Sequence, residues 1–261
     1  MGVDKAADRV RQMFAEIAWR YDFLNHLLSL GMDYRWRQEA VRRAPPVGER
    51  PILDICTGTA DLALAYWRAS RAAVPVVGVD FCRPMLQGAL EKCQRWGAAA
   101  QTASFCPANP PRPCVKARPA GKAALYLVEA DATALPFASN LFQIVCVAFG
   151  LRNIQNPGLA LREMVRVCRP AGRVVVLEFS MPPSFFLRRV YGWYFRWVLP
   201  RIGQALAPNR FAAYHYLPAS VEEFPPAEYW TQQMNAVGLP SVAVEPLTFG
   251  IATLYVGQKV S

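Results

Sequence analysis

The segment Ile52-Leu53-Asp54-Ile55-Cys56-Thr57-Gly58-Thr59-Ala60-Asp61-Leu62 has the residue types of a ligand-binding turn. Its apolar start predicts a short buried strand, Ile52 to Ile55, and a helix is expected to open near Asp61. Small residues between them, Gly58 above all, let a ligand lie directly against backbone N–H groups. The helix start behind the turn adds free donors and a partial positive charge. Asp54, at the strand end, is placed to brace the turn. The next apolar run, Val76-Val77-Gly78-Val79-Asp80, ends in an acid. Its distance from Asp54 is close to the spacing at which a doubly wound sheet sets an acid on a ribose. A dinucleotide or S-adenosylmethionine suits such a site. The turn lacks a full G-x-G-x-x-G, and Asp61 at the helix start repels a pyrophosphate but tolerates the ammonium of a methionine moiety.

More polar groups fall at the ends of later apolar runs. Tyr126 to Asp131 predicts a third strand ending in an acid, and Leu141 to Phe149 a fourth that runs into Gly150-Leu151-Arg152-Asn153. Arg173 to Phe179 predicts a fifth, with Glu178 near its end. Helical patterns, Met85 to Trp96 and Leu159 to Cys168, alternate with these runs, and Pro170-Ala171-Gly172 reads as the stop of the second. The alternation predicts a parallel sheet with helices on both faces, whose ligands bind beyond the carboxyl ends of the strands. Asp54, Asp80, Asp131, Arg152 and Glu178 converge there.

The rest of the chain frames this core. Residues 3–44 read as helical from Val10, Met13, Phe14, Ile17 and Tyr21, with Asp22 and Asn25 as breakers or caps. The partition is one domain over 1–261. It comprises a helical lid (1–48), a core (49–181) with a proline-rich insertion at 98–121, a helical segment facing substrate or membrane (182–240), and closing strands (241–261). In Phe185 to Leu199 aromatics alternate with arginines, a composition suited either to a lipid headgroup boundary or to a core-covering helix.

The 261 residues, 53% hydrophobic, suffice for one large α/β domain. No apolar leader and no run of about 18 apolar residues is present, against a signal peptide or spanning helix. Seven cysteines without C-x-x-C and two distant histidines, His26 and His215, fit reduced thiols in the cytoplasm and offer no metal-site spacing. The net charge of +10 suits an anionic membrane surface. The arginines are dispersed, and neither an RNA-binding signature nor Asn-Pro-Pro-Tyr is present, so no nucleic-acid partner is expected. A homo-oligomer stays open.

Several motifs together resemble the menaquinone/ubiquinone C-methyltransferase family. They are Phe14 to Asn25, Ser29-Leu30-Gly31, Leu53-Asp54 with Gly58-Thr59-x-Asp61-Leu62, Phe149-Gly150-Leu151-Arg152-Asn153, Leu177-Glu178-Phe179-Ser180 and Leu199 to Gly203. The resemblance implies a doubly wound, Rossmann-like class I methyltransferase fold with a seven-stranded sheet, mostly parallel, its last strand antiparallel. It implies S-adenosylmethionine as cofactor, touched by Thr59, Asp80, Asp131 with Ala132, and Ala148. The reaction implied is methylation of a prenylated quinol ring carbon, demethylmenaquinol or the benzoquinol of ubiquinone biosynthesis. Arg152 would stabilise the developing phenolate, and a water held by Arg152, Asn153 and Tyr21 would relay its proton. The chain departs at Ala148, where serine is common, and at Ala60, where glycine is usual. With the insertion, Ala60 keeps open a second reading: a donor-binding assembly partner without catalysis.

Overall fold

The computed structural model describes residues 6–102, 124–198, 201 and 213–260. Eight strands form one sheet: β1 (Ile52–Ile55), β2 (Val76–Asp80), β3 (Ala100–Thr102), β4 (Leu125–Glu129), β5 (Phe142–Ala148), β6 (Cys168–Phe179), β7 (Val242–Leu247) and β8 (Ala252–Gln258). Their order is β3-β4-β2-β1-β5-β6-β8-β7. The pairs from β3 through β6 are parallel, and β8 lies antiparallel to both β6 and β7. β1 and β2 are buried along their whole lengths, the pattern of a sheet covered on both faces.

The expectation of seven strands falls short by β3. Its three residues pair with Leu125–Leu127 at the sheet edge. Gln101 and Thr102 are exposed, so no apolar alternation announces them; backbone pairing alone makes the strand. Residues 103–121 of the proline-rich insertion lie outside the described residues. β6 also begins earlier than expected and takes in Pro170-Ala171-Gly172. Cys168 pairs with Phe142, the register slips, and pairing resumes at Arg173 with Ile144. Ala171 turns the chain there at φ +57°.

Helices α4 (Asp61–Ala69), α5 (Arg83–Arg95) and α6 (Pro157–Val167) connect successive strands and cover the sheet. Before them lie α1 (Ala7–Ile17), a 3-10 turn (Ala18–Arg20), α2 (Tyr21–Leu28) and α3 (Met32–Arg43). The breaks fall at Ala18–Arg20 and at Ser29–Gly31, where Gly31 has φ +73°. They do not fall at Asp22 or Asn25, which sit inside α2. Asp22 spends its carboxylate on Lys92 of α5, so it is unavailable as a cap. Met13, Ile17 and Leu24 of these N-terminal helices pack with Val221 in a small separate core.

After β6, α7 (Phe185–Trp193) runs into a π-helical turn, Tyr194–Val198. Tyr191 and Tyr194 pack against that same small core. Phe186, Val190, Trp193 and Trp197 are exposed at helical spacing. Among the described residues no helix is long and apolar enough to cross a membrane.

Candidate active site

The turn after β1 carries left-handed backbone at Cys56 (φ +50°), Gly58 (φ +55°) and Ala60 (φ +69°). Asp54 holds it together, accepting from Thr57 Oγ1 at 2.6 Å and from the Ala63 N–H at 3.1 Å. Burial pushes the Asp54 carboxyl up to about 7, despite these bonds. Alanine at position 60 adopts the conformation that glycine takes without strain, at a cost of about 1 kcal/mol.

Asp80 ends β2 beside this turn. Its Oδ2 accepts from the Gly58 N–H at 2.8 Å and its Oδ1 from the Cys82 N–H at 2.9 Å. Burial raises its carboxyl to about 6. A cavity of about 460 Å³ opens here, lined by Gly58, Asp80, Asp131, Ala132, Ala148 and Asn153. Thus five of the expected cofactor residues share one space. Asp131 is exposed and accepts from the Thr133 N–H and Oγ1, both at 2.8 Å.

Thr59 and Asp54 do not line this cavity. Asp54 stays under the turn. The Thr59 hydroxyl turns toward α2, donating to Asp22 and accepting from Lys92 Nζ at 3.1 Å. The Lys92 ammonium lies 2.6 Å from both Asp22 and Asp61. Ligand atoms of Asp22, His26 and Asp61 come within 4.8 Å of one another, a grouping that could hold a metal ion. Lys92 already supplies the positive charge between the two carboxylates, and the cluster ties α2 to the turn and to α5.

A second cavity of about 280 Å³ adjoins the first. Trp36, Arg37, Phe149, Arg152 and Phe179 line it, and Tyr21 and Phe149 line both cavities. Arg152 is buried. Its Nη1 donates to Glu178 and to the Phe149 carbonyl at 2.6 Å, and its backbone N–H reaches Glu178 Oε2 at 3.2 Å. Arg152 Nε and Asn153 Oδ1 are buried with no hydrogen-bond partner. Burial raises the Tyr21 hydroxyl above its ordinary range, against the pull of Arg152 and Arg37, so it stays protonated near neutrality.

The trio Tyr21, Arg152 and Asn153 is therefore brought together only in part. Tyr21 touches both cavities, Arg152 faces the second and Asn153 the first. Leu151–Asn153 is a 3-10 turn, which swings successive side chains about 120° apart. Sequence reasoning missed Arg37 and Trp36 of α3. The signal available was Asp33 and Arg37 at i, i+4, a spacing that pairs the two on one helix face. Arg37 Nη1 donates to Asp33, and Nη2 lies 3.5 Å from Asp61. Burial raises the Asp33 carboxyl, but His26 and Arg37 outweigh it and hold the group below its usual range.

A family model described as the ubiE/COQ5 methyltransferase family matches residues 2–110 and 114–259. The demethylmenaquinone methyltransferase of Thermus thermophilus is 43% identical over 247 residues, 95% of this chain and 100% of that protein. The ubiquinone/menaquinone biosynthesis C-methyltransferase UbiE of Geobacter sulfurreducens is 41% identical over 252 residues, 97% of this chain and 89% of that protein. Among solved structures, an S-adenosylmethionine-dependent methyltransferase from Aquifex aeolicus superposes with a TM-score of 0.51 at 13% identity. The match covers 85% of this chain and 89% of that one, a likeness of fold.

Proposed function

Since the chain belongs to the ubiE/COQ5 methyltransferase family, we propose that it methylates a ring carbon of a prenylated quinol, converting demethylmenaquinol to menaquinol. The observation that carries this reading is the meeting of two unlike cavities at Tyr21 and Phe149, one edged by carboxylates and the other walled by aromatic rings and a guanidinium. S-adenosylmethionine is the donor, and when bound it supplies a methyl group on a sulfonium, whose neutral thioether leaves without acid.

The first cavity fits that cofactor. Asp80 is already fixed by two backbone N–H groups and offers its remaining lone pairs to ribose hydroxyls. A Cβ at Gly58 would lie 3.5 Å from Met85 Cε and 3.9 Å from Tyr21 Cε1, so the bare glycine keeps a ligand close to backbone. Asp131 stands at the far edge as an acceptor for an adenine amino group, with Ala132 and Ala148 as apolar walls. The unpartnered Asn153 Oδ1 is an acceptor on the cofactor side. Thr59 and Asp54 act on the turn from behind.

In the second cavity the Arg152 guanidinium is the cation beside the quinol oxygen next to the accepting carbon. As that oxygen loses its proton, electron density rises at the neighbouring carbon, and a fixed guanidinium stabilises the charge. Arg152 does not take the proton, because a guanidinium keeps its own. Tyr21, protonated and shared by both cavities, relays the hydroxyl proton toward water; once the methyl is bonded, the accepting carbon gives up its own hydrogen as a proton, which restores the aromatic ring, and the oxygen regains a hydrogen. Most of the remaining rate comes from holding carbon and methyl in line.

Steady-state methylation and calorimetry test the assignment together. Arg152→Ala lowers kcat about 100- to 1,000-fold and leaves S-adenosylhomocysteine affinity unchanged. Normal kcat in that variant removes Arg152 from the chemistry. Failure of the wild type to methylate demethylmenaquinol, with donor still bound, favours the non-catalytic reading.

The exposed Phe186, Val190, Trp193 and Trp197, with Arg189 beside them, suit contact with an anionic bilayer from the cytoplasmic side. Co-sedimentation with phosphatidylglycerol vesicles tests this, and indifference to them removes the membrane contact.

A further inference from the structure

The second cavity holds more cation than the reaction needs. Its wall is a ring pair, Phe149 and Phe179, with centroids 4.5 Å apart and planes tilted 35°. Trp36 closes on each at 5.9 Å. The Arg37 guanidinium carbon lies 5.5 Å from the Phe149 centroid, and that of Arg152 lies 5.1 Å from the Phe179 centroid. Each ring of the pair therefore carries its own guanidinium, and both cations line the cavity.

Arg37 is buried at considerable expense. Asp33, itself held by His26 and Ser29, anchors one nitrogen, and Asp61 faces another. A guanidinium has five N–H donors, and these contacts leave several of them. Activating one ring carbon requires charge stabilisation at only one oxygen, the part given to Arg152.

A para-quinol has a hydroxyl at each end of its ring. We propose that Arg37 binds the hydroxyl remote from the accepting carbon, so that the ring lies along the Phe149–Phe179 wall with one oxygen at each guanidinium. This rests on the quinol reading above and adds a specificity-determining residue to it. Gly150 and Asn153, which flank Arg152 in the chain, line the first cavity, whereas no neighbour of Arg37 in α3 does, which sets Arg152 at the reacting end.

The chemistry gives Arg37 a distinct signature. The remote oxygen is meta to the accepting carbon and feeds it no electron density. Its contact with Arg37 forms equally in ground and transition states, so it governs KM and orientation and leaves kcat nearly unchanged. It also selects quinols over monohydroxylated rings, because a buried donor left without its acceptor penalises the wrong substrate.

The test compares two short-prenyl substrates with the full chain: demethylmenaquinol, and the prenyl naphthol that keeps only the hydroxyl beside the accepting carbon. The wild type is expected to lose on the order of 10- to 100-fold in kcat/KM on the naphthol, chiefly through KM. Arg37→Gln is expected to erase that preference and raise KM for demethylmenaquinol by a similar factor. Equal kcat/KM of the wild type on both substrates overturns the proposal, whether or not the variant folds. So does a folded R37Q that keeps the full preference. A wild type that methylates neither substrate fails the quinol reading itself and takes Arg37's role with it.

Discussion

The two cavities share a wall yet are built in opposite ways. The first is edged by acids, Asp80 and Asp131, hung from strand ends. The second is edged by cations, Arg37 and Arg152, each held by carboxylates behind it. Under the proposed assignment the contrast matches the two partners of a methyl transfer: acids would receive a positively charged donor, and guanidinium groups an acceptor that develops negative charge. The construction differs too. Hydrogen bonds from fixed backbone N–H groups aim Asp80, whereas Arg152 depends on one other side chain, Glu178, from the neighbouring strand.

The sharpest way to break this contrast is to remove the carboxylate behind Arg152. Glu178 is fully buried. Glu178→Ala strands a buried guanidinium and is expected to cost about 3–5 kcal/mol of stability, read from denaturant melts. Glu178→Gln, which keeps the acceptor oxygen, is expected to cost less. Equal, small losses in both variants would show that the second cavity does not depend on that ion pair.

A smaller effect separates the cavities by pH. Burial raises both Asp80 and Asp54, so their contribution to stability is full below the ordinary carboxylate range and is lost as pH rises through about 6 and 7. Binding runs the other way, since ribose hydroxyls need the ionised Asp80. Calorimetry is expected to show S-adenosylhomocysteine affinity falling up to about tenfold per pH unit below about 6. Asp33, which lines the second cavity, is held below the usual range and does not titrate there, so acceptor affinity stays flat. Cofactor affinity that is level across the same window would take Asp80 off the ribose.

The smallest change probes the turn alone. Ala60→Gly removes the strain at φ +69° and is expected to raise stability by about 0.5–1 kcal/mol in thermal or chemical melts. No gain would mean that the loss of backbone freedom in the folded glycine cancels the relief.

The same contrast explains what could be read from residue order. The first cavity follows from local pattern: apolar runs locate β1, β2 and β4, and the acids at or just past their ends fall where a parallel sheet places ligands. Gly58, Asp80 and Asp131 were legible for that reason, whereas Ala132 and Ala148 came only from the family resemblance. Thr59 shares the turn, but its rotamer answers to Asp22 and Lys92, which no strand pattern reveals. The second cavity draws on α2, α3, the turn after β5, the end of β6 and α7. Arg152 was legible through its strand end, while Arg37 came into view only when folding set α3 against Phe149. β3 escaped notice because an edge strand with exposed side chains is specified by backbone bonds, which any sequence supplies.

Tyr21 and Phe149 serve as a common partition, so neither ligand can be tuned in isolation. If seating one of them improves the fit of the other by some factor, thermodynamic reciprocity requires the second to repay the first by that same factor. The demethylated cofactor left after turnover would then be held more tightly by an enzyme still carrying quinol, and product release would depend on the order in which the two chambers empty.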